Sequence, residues 1–319
     1  MLLLLVPWLV CFGHYGRASG RVGWRRGPID VTREQKNPAV PRSVIRDGPV
    51  ANPKDRSWRF WLIPCLNCSY AAALLYEKSM SDFLLVHGGS HGAWCWEGVI
   101  RELNRLGNEG HALDLPGGGH DSTPRASITF NSYVVAVNSF VHEKDLQDLV
   151  LVGHSLAGII LPDVVAANRE RVREVVFIAA YVLDRGERAI DVVASDRTPE
   201  YYRLAEASPE HSLMLAYHTA RQRFFSDLSD AAARTAYAKL TPQPLAPYLE
   251  PARHGARSIS SISRYIICRN DQNLPFDVCL RFAVKLGGVI QDIKAGHDVM
   301  LSKPKELVAL LTQGIAEPG

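Results

Sequence analysis

The chain has 319 residues, with 36 Lys and Arg against 33 Asp and Glu, a net charge of +3, 47% hydrophobic residues and 22% charged residues. That is the balance of a soluble globular protein, long enough for one large domain with an insertion or for two domains, and with a core that needs neither disulfides nor a structural metal. Much of the basic excess lies between Arg17 and Arg59, so there is no broad basic surface and no reason to expect a nucleic-acid partner.

Met1 to Val10 is apolar but contains Pro7 and lacks a basic leading region, and Arg17-Ala18-Ser19-Gly20 is a poor cleavage site. A signal or anchor is therefore the secondary reading of this stretch. Residues 13 to 59, rich in Gly, Pro and Arg, show no helical or strand period and read as disordered. Trp61 to Tyr76 is apolar but broken by Pro64, Asn67 and Ser69, short of the roughly 20 residues that span a bilayer. Residues 1–79 are thus expected to be an extension without catalytic role, disordered or upstream of the true start, and no membrane partner is expected. The six cysteines are scattered. Cys65 and Cys68 form a C-x-x-C with no second pair, so the spacing for zinc is missing and reduced thiols in a cytoplasmic protein are expected.

A folded domain opens near Met80. Phe83 to Val86 reads as a buried strand running into the loop His87-Gly88-Gly89-Ser90-His91-Gly92. Trp94 to Leu106 has helical spacing, Gly110 to Leu115 is a second strand, and Thr129 to Lys144 is a helix. Pro116 to Asp121 is a polar loop, and His111, His120 and Asp121 read as strand-end or loop residues rather than chemical groups. Leu149-Val150-Leu151-Val152 is a strand, followed by Gly153-His154-Ser155-Leu156-Ala157-Gly158 and the apolar Ile159-Ile160-Leu161, which can begin a helix. A strand, a tight small-residue turn and a helix are the setting of a nucleophile elbow, in which the serine is held in a strained geometry. The same hexapeptide also fits a plain turn with a capping serine.

Val175 to Ile178 is the next strand. Residues 181–257 then break the strand–helix alternation, with several prolines and an alanine-rich helix from Ala231 to Lys239, and read as an inserted helical cap. Met214, Tyr217, Phe224 and Phe225 serve equally as pocket walls or as packing within that cap. The sheet resumes at Tyr265 to Cys268, followed by Asp271. Val289 to Ile293 leads to His297, and a helix closes the chain from Pro304 to Leu311. Ser155, Asp271 and His297 each follow an apolar strand, in the order Ser, Asp, His that belongs to α/β-hydrolases among Ser-His-Asp enzymes. Asp277 and Asp292 are rivals placed in a helix and within a strand, and Asp298 is too local to His297 to be its partner.

From His87 onward the sequence resembles the α/β-hydrolase superfamily, in the branch of plant methylesterases, hydroxynitrile lyases and their bacterial relatives. The resemblance rests on His91-Gly92-Ala93-Trp94-Cys95-Trp96, on the Ser155 hexapeptide, on Leu240-Thr241-Pro242-Gln243-Pro244-Leu245, and on His297 followed by Met300-Leu301-Ser302-Lys303-Pro304. It implies a mostly parallel central sheet flanked by helices, with core residues 80–180 and 258–319. It also implies catalysis by Ser155, His297 and Asp271. The oxyanion donors are expected at the N–H groups of Gly89 and Leu156, with His87, Gly88 and His154 contacting substrate. Hydroxynitrile lyases carry a lysine where this chain has Asp298 and a threonine where it has Gly89, and both departures favour an esterase. The expected activity is hydrolysis of a small-molecule ester through an acyl-enzyme, with no metal or cofactor and with a homodimer left open. A C–C bond hydrolase or lyase and a non-catalytic ligand-binding protein are the alternatives.

Overall fold

The computed structural model describes residues 81–313. The expected extension 1–79 and the Cys65–Cys68 pair lie outside the described residues. Among the described residues no helix is long and apolar enough to cross a membrane.

In chain order the elements are β1 (Asp82–Val86), α1 (Glu97–Arg105), β2 (Glu109–Leu113), α2 (Phe130–Glu143), β3 (Leu149–His154), α3 (Leu161–Ala167) and β4 (Val172–Ile178). A long segment follows, with α4 (Ala189–Val192), α5 (Thr198–Glu206), β5 (Ser212–Leu213), α6 (Tyr217–Arg223), α7 (Asp230–Tyr237), β6 (Gln243–Pro244) and α8 (Ala246–Leu249). The chain then returns through β7 (Ser263–Cys268), α9 (Phe276–Leu286), β8 (Val289–Ile293), α10 (Val299–Ser302) and α11 (Pro304–Leu311).

Six strands form one sheet in the order β2-β1-β3-β4-β7-β8, and every neighbouring pair is parallel. Parallel strands joined by helices are covered on both faces, so they read as unbroken apolar runs. Phe83-Leu84-Leu85-Val86 and Leu149-Val150-Leu151-Val152 meet that condition, with all eight side chains buried. Full burial of each contributes about 1.5–3 kcal/mol. From β1 the chain steps outward to β2, then returns across β1 to β3 and continues the other way. The carboxyl ends of β1 and β3 therefore flank a switch point, where open α/β sheets hold their ligands.

Local chemistry moved several boundaries. The expected helix from Trp94 begins as a 3-10 turn, Ala93–Trp96, before α1. β2 stops at Leu113, short of the expected Leu115, because the Leu115 N–H turns away from the sheet to donate to His87 Nε2 at 2.9 Å. α2 is started by a capping box in which Thr129 and Ser132 exchange side-chain and backbone hydrogen bonds. After β3 the chain makes a 3-10 turn, Ser155–Ile159, before α3 begins with Pro162 in its first turn. The antiparallel pair β5–β6 was not foreseen, since two residues per strand leave no period to read.

The segment between β4 and β7 has its own apolar cluster, formed by Leu215, Ala220, Phe224, Phe225, Ala233, Ala236 and Leu240, against which Trp94 and Leu301 also pack. A tight constraint on the sheet side is Gly158, where a Cβ would stand 2.2 Å from the carbonyl oxygen of Tyr181. Gly158→Ala should therefore destabilise the fold by about 3 kcal/mol or more, read as a lowered urea midpoint with an unchanged slope. A neutral result would contradict this packing.

Candidate active site

Four loops converge at the carboxyl edge of the sheet: residues 87–92 after β1, Ser155 after β3, Asp271 after β7 and His297 after β8. Ser155 has φ +51°, a conformation that costs a non-glycine residue energy and that the turn imposes to lift its hydroxyl out of the strand. Gly88 opposes it closely, since a Cβ on Gly88 would lie 2.8 Å from the Ser155 Cβ.

Ser155 Oγ is 3.1 Å from His297 Nε2, and His297 Nδ1 donates to Asp271 Oδ2 at 2.7 Å. The other carboxylate oxygen of Asp271 accepts the backbone N–H groups of Asn273 at 2.6 Å and Leu274 at 2.8 Å. Because the carboxylate takes the Nδ1 proton, the neutral imidazole presents its lone pair at Nε2, toward the serine. All three side chains are buried, Ser155 retaining 7% exposure. The structure thus brings Ser155, His297 and Asp271 together. Asp292 and Asp277, the rivals, are spent on ion pairs with Arg269 and Arg281.

Leu156, second residue of the 3-10 turn, has no acceptor three residues back within that turn, and the Gly89 N–H makes no loop hydrogen bond to backbone among the described residues. In the same loop the Ser90 N–H is taken by Gln243 Oε1 at 3.1 Å, which removes it as a candidate donor. Gln243 is itself fixed by Tyr133 Oη at 3.0 Å. A narrow cleft opens above the serine, and its walls include Tyr181, Tyr201, Leu213, Leu215, Phe224 and Tyr248. Burial pushes the hydroxyls of Tyr181, Tyr201 and Tyr248 above the usual tyrosine range, so they face the cleft as neutral groups.

His87, Gly88 and His154, expected to contact substrate, do not line the cleft. His87 lies behind it as a strut. Its Nδ1 donates to the Gly88 carbonyl at 2.8 Å, its Nε2 accepts from Leu115, and burial pushes its pKa down to about 4. His154 Nε2 donates to the His297 carbonyl at 3.1 Å, and burial holds its pKa well below the ordinary imidazole value. Of the four aromatic and Met candidates, Phe224 alone faces the cleft. Phe225 and Met214 belong to the neighbouring apolar cluster, and Tyr217 packs edge-on to Tyr237. His120 is exposed, Asp121 closes its own loop by accepting from Gly117 and Thr123, and His111 sits within β2 beside Asp82 and Glu109.

Three groups at the site escaped the sequence reading. His91 Nδ1 donates to the Gly89 carbonyl at 2.8 Å, and Nε2 donates to Asp298 Oδ2 at 2.8 Å. Both ring nitrogens face acceptors, so this buried pair is an imidazolium on a carboxylate. Burial alone would lower the His91 pKa, but the charge and hydrogen bond of Asp298 outweigh it and the net shift is upward. Asn273 reaches His297 Nε2 at 3.2 Å. Arg197 grips the Asn273 loop from the start of α5. A two-residue offset from Asp271 was the only local signal for Asn273, and nothing local connected Arg197 to it.

Among the described residues, His154, His297 and Asp298 offer ligand atoms within 4.8 Å of one another, as do Asp82, Glu109 and His111. An ion in the first group would have to displace His297 from Ser155 or Asp271. The second group lies around the starts of β1 and β2, away from the serine.

These histidines set opposite pH limits on stability. His91 has a raised folded pKa, so its contribution is complete below about 6.5 and is lost as pH rises through the folded value. His87 has a folded pKa of about 4 against 6.5 unfolded, so stability falls by roughly 3 kcal/mol between those values as pH drops. Urea unfolding across this range should show His87→Gln flattening the acid side and Asp298→Asn flattening the alkaline side. Parallel curves for wild type and both variants would refute the assignments.

Residues 83–310 match the model of the alpha/beta hydrolase family. The chain is 29% identical over 265 residues to methylesterase 7 of Arabidopsis thaliana, covering 74% of this chain and 97% of that protein. It is 26% identical over 246 residues to a carbendazim hydrolyzing esterase of Nocardioides sp. (strain SG-4G), covering 73% and 98%. It spans 56% of the length of putative methylesterase 15, chloroplastic, of Arabidopsis thaliana, at 24% identity. An extracellular alpha/beta-hydrolase from a Paenibacillus species superposes with a TM-score of 0.69 at 23% identity, covering 75% of this chain and all of that one. The parallel sheet, the strand-end loops and the family match agree: this chain belongs to the alpha/beta hydrolase family.

Proposed function

We propose that the protein hydrolyses a small carboxylic ester through an acyl-enzyme formed on Ser155. The observation that carries the reading is the hydrogen-bonded chain from the Ser155 hydroxyl through His297 to Asp271, set on a serine whose positive φ holds it at the cleft floor. The methylesterase and carbendazim esterase relatives support the reaction class.

In the first half-reaction Ser155 Oγ attacks the ester carbonyl and its proton passes to His297 Nε2. Asp271 keeps the imidazole in the Nδ1–H tautomer and stabilises its positive form. The carbonyl oxygen gathers negative charge between the N–H groups of Gly89 and Leu156, each worth about 3 kcal/mol to the transition state. His297 returns its proton to the departing alcohol oxygen. Water then enters, gives a proton to His297 and attacks the acyl carbon, and Ser155 leaves with that proton. The walls of three neutral tyrosines, two leucines and Phe224 fit a compact, partly apolar substrate with room for a hydrogen-bonding substituent.

Ser155→Ala should lower kcat for a short p-nitrophenyl ester by more than about 10³-fold, with the circular dichroism spectrum unchanged. A fluorophosphonate should label wild type at Ser155 and leave this variant unlabelled. Activity retained in Ser155→Ala would end the proposal.

A further inference from the structure

We propose that Asn273 is a positioning residue for His297: its carboxamide donates to Nε2 and holds the imidazole in the form that can accept the serine proton. The inference rests on the ester-hydrolysis reading of Ser155 and His297 and adds a control on that site.

The amide orientation follows from its neighbours. Arg197 Nη1 lies 3.1 Å from Asn273 Oδ1 and 2.5 Å from the Asn273 carbonyl oxygen, and its Nη2 lies 3.3 Å from the Gln272 carbonyl oxygen. A guanidinium has donors only, so the atom it meets on the carboxamide is the oxygen. The NH₂ end is then the one 3.2 Å from His297 Nε2. Asn273 is 5% exposed and lines the cleft, so this contact is shielded from bulk water.

With Nδ1–H given to Asp271, Nε2 has a single lone pair, and two donors share it: the Ser155 hydroxyl at 3.1 Å and the Asn273 amide at 3.2 Å. The neutral imidazole gains from both. Once Nε2 takes the serine proton it is itself a donor, and the amide N–H then faces an N–H. Arg197 opposes the rotation that would present Oδ1 instead. The contact therefore favours imidazole over imidazolium. The amide therefore holds the ring with its Nε2 lone pair turned toward the serine. In the acyl-enzyme, where Ser155 has no hydroxyl proton, Asn273 remains as a donor on Nε2 until water arrives.

Other ionisable groups around His297 leave this balance in place. His154, from β3, has its ring centroid 4.6 Å away and is held neutral by burial. Asp298 is paired with His91 from the loop after β1, Asp227 from between α6 and α7 accepts the Gly296 N–H, and Asp271 holds Nδ1. The Arg197 charge sits beyond Asn273.

The test is the pH dependence of the rate at which a fluorophosphonate labels Ser155, which reads serine activation alone. Asn273→Leu, similar in size and without a donor, should raise the midpoint of the acid limb by about 0.5 to 1 pH unit, the worth of one hydrogen bond. Arg197→Met keeps Asn273 but frees its carboxamide to turn its oxygen toward the imidazolium, and should move the midpoint the same way. It decides the matter if Asn273→Leu does not fold. A lowered plateau with an unmoved midpoint in both variants overturns the role of Asn273 while leaving the hydrolase reading intact. Absence of labelling in wild type overturns the hydrolase reading itself.

Discussion

In the proposed reaction His297 accepts a proton from Ser155 only with one ring nitrogen protonated and the other bare, and its hydrogen-bond partners favour that state. Asp271 holds the Nδ1 proton, and its second oxygen is satisfied by two backbone N–H groups, so it is not free to turn. His154 anchors the backbone by donating to the His297 carbonyl. Phe224 stacks on the ring with centroids 5.7 Å apart. The strained Ser155 turn, the close approach of Gly88 and the N–H groups of Gly89 and Leu156 lie around an imidazole fixed in this way. The same low-dielectric setting strengthens each of these contacts and makes any unpaired one costly.

The segment between β4 and β7 is more than a cover. Gln243 takes the Ser90 N–H next to Gly89, while the Thr241 N–H donates to the Ser90 carbonyl at 2.9 Å. Asp227 accepts the Gly296 N–H at 2.6 Å, and the Phe224 carbonyl accepts the Asp298 N–H at 3.3 Å. Arg197 holds the loop that follows Asp271. The strand-end loops carrying Gly89, Asp271 and His297 are thus each tied to this segment, which makes it part of the scaffold of the site.

His91 and Asp298 join two of these loops from below. The pair is buried, and an imidazolium without its carboxylate would be strongly unfavourable there. By donating to the Gly89 carbonyl, His91 orients the peptide between Gly89 and Ser90, and Asp298 links that peptide to the residue next to His297. A residue set aside in sequence as too local to His297 therefore acts across the site on a different histidine.

Much of the fold was legible because the information was local. Continuous apolar runs marked β1, β3 and β7 as strands buried on both faces, and 3.6-residue spacing marked α1 and α2. The boundaries that shifted did so where a distant group claimed a backbone donor, as His87 claims the Leu115 N–H at the end of β2. The pair β5–β6 was invisible because its register is set by a partner some thirty residues away. His87 and His154 were misplaced as substrate contacts for a related reason: adjacency to a motif fixes position along the chain but not which side of the loop a ring occupies.

The sequence by itself determined the order of the six strands of the central sheet, the three strand-end positions at Ser155, Asp271 and His297, and the small residues that let the elbow turn. These depend on periodicity, side-chain volume and backbone freedom, all properties of a few consecutive residues. Only the tertiary structure decided which histidine Asp298 serves, which loop N–H Gln243 takes, which residues wall the cleft, and that Asn273 turns its amide to Nε2 under the grip of Arg197. Those outcomes are competitions for hydrogen-bond partners between groups far apart in the chain, and a competition of that kind has no winner until the chain has folded.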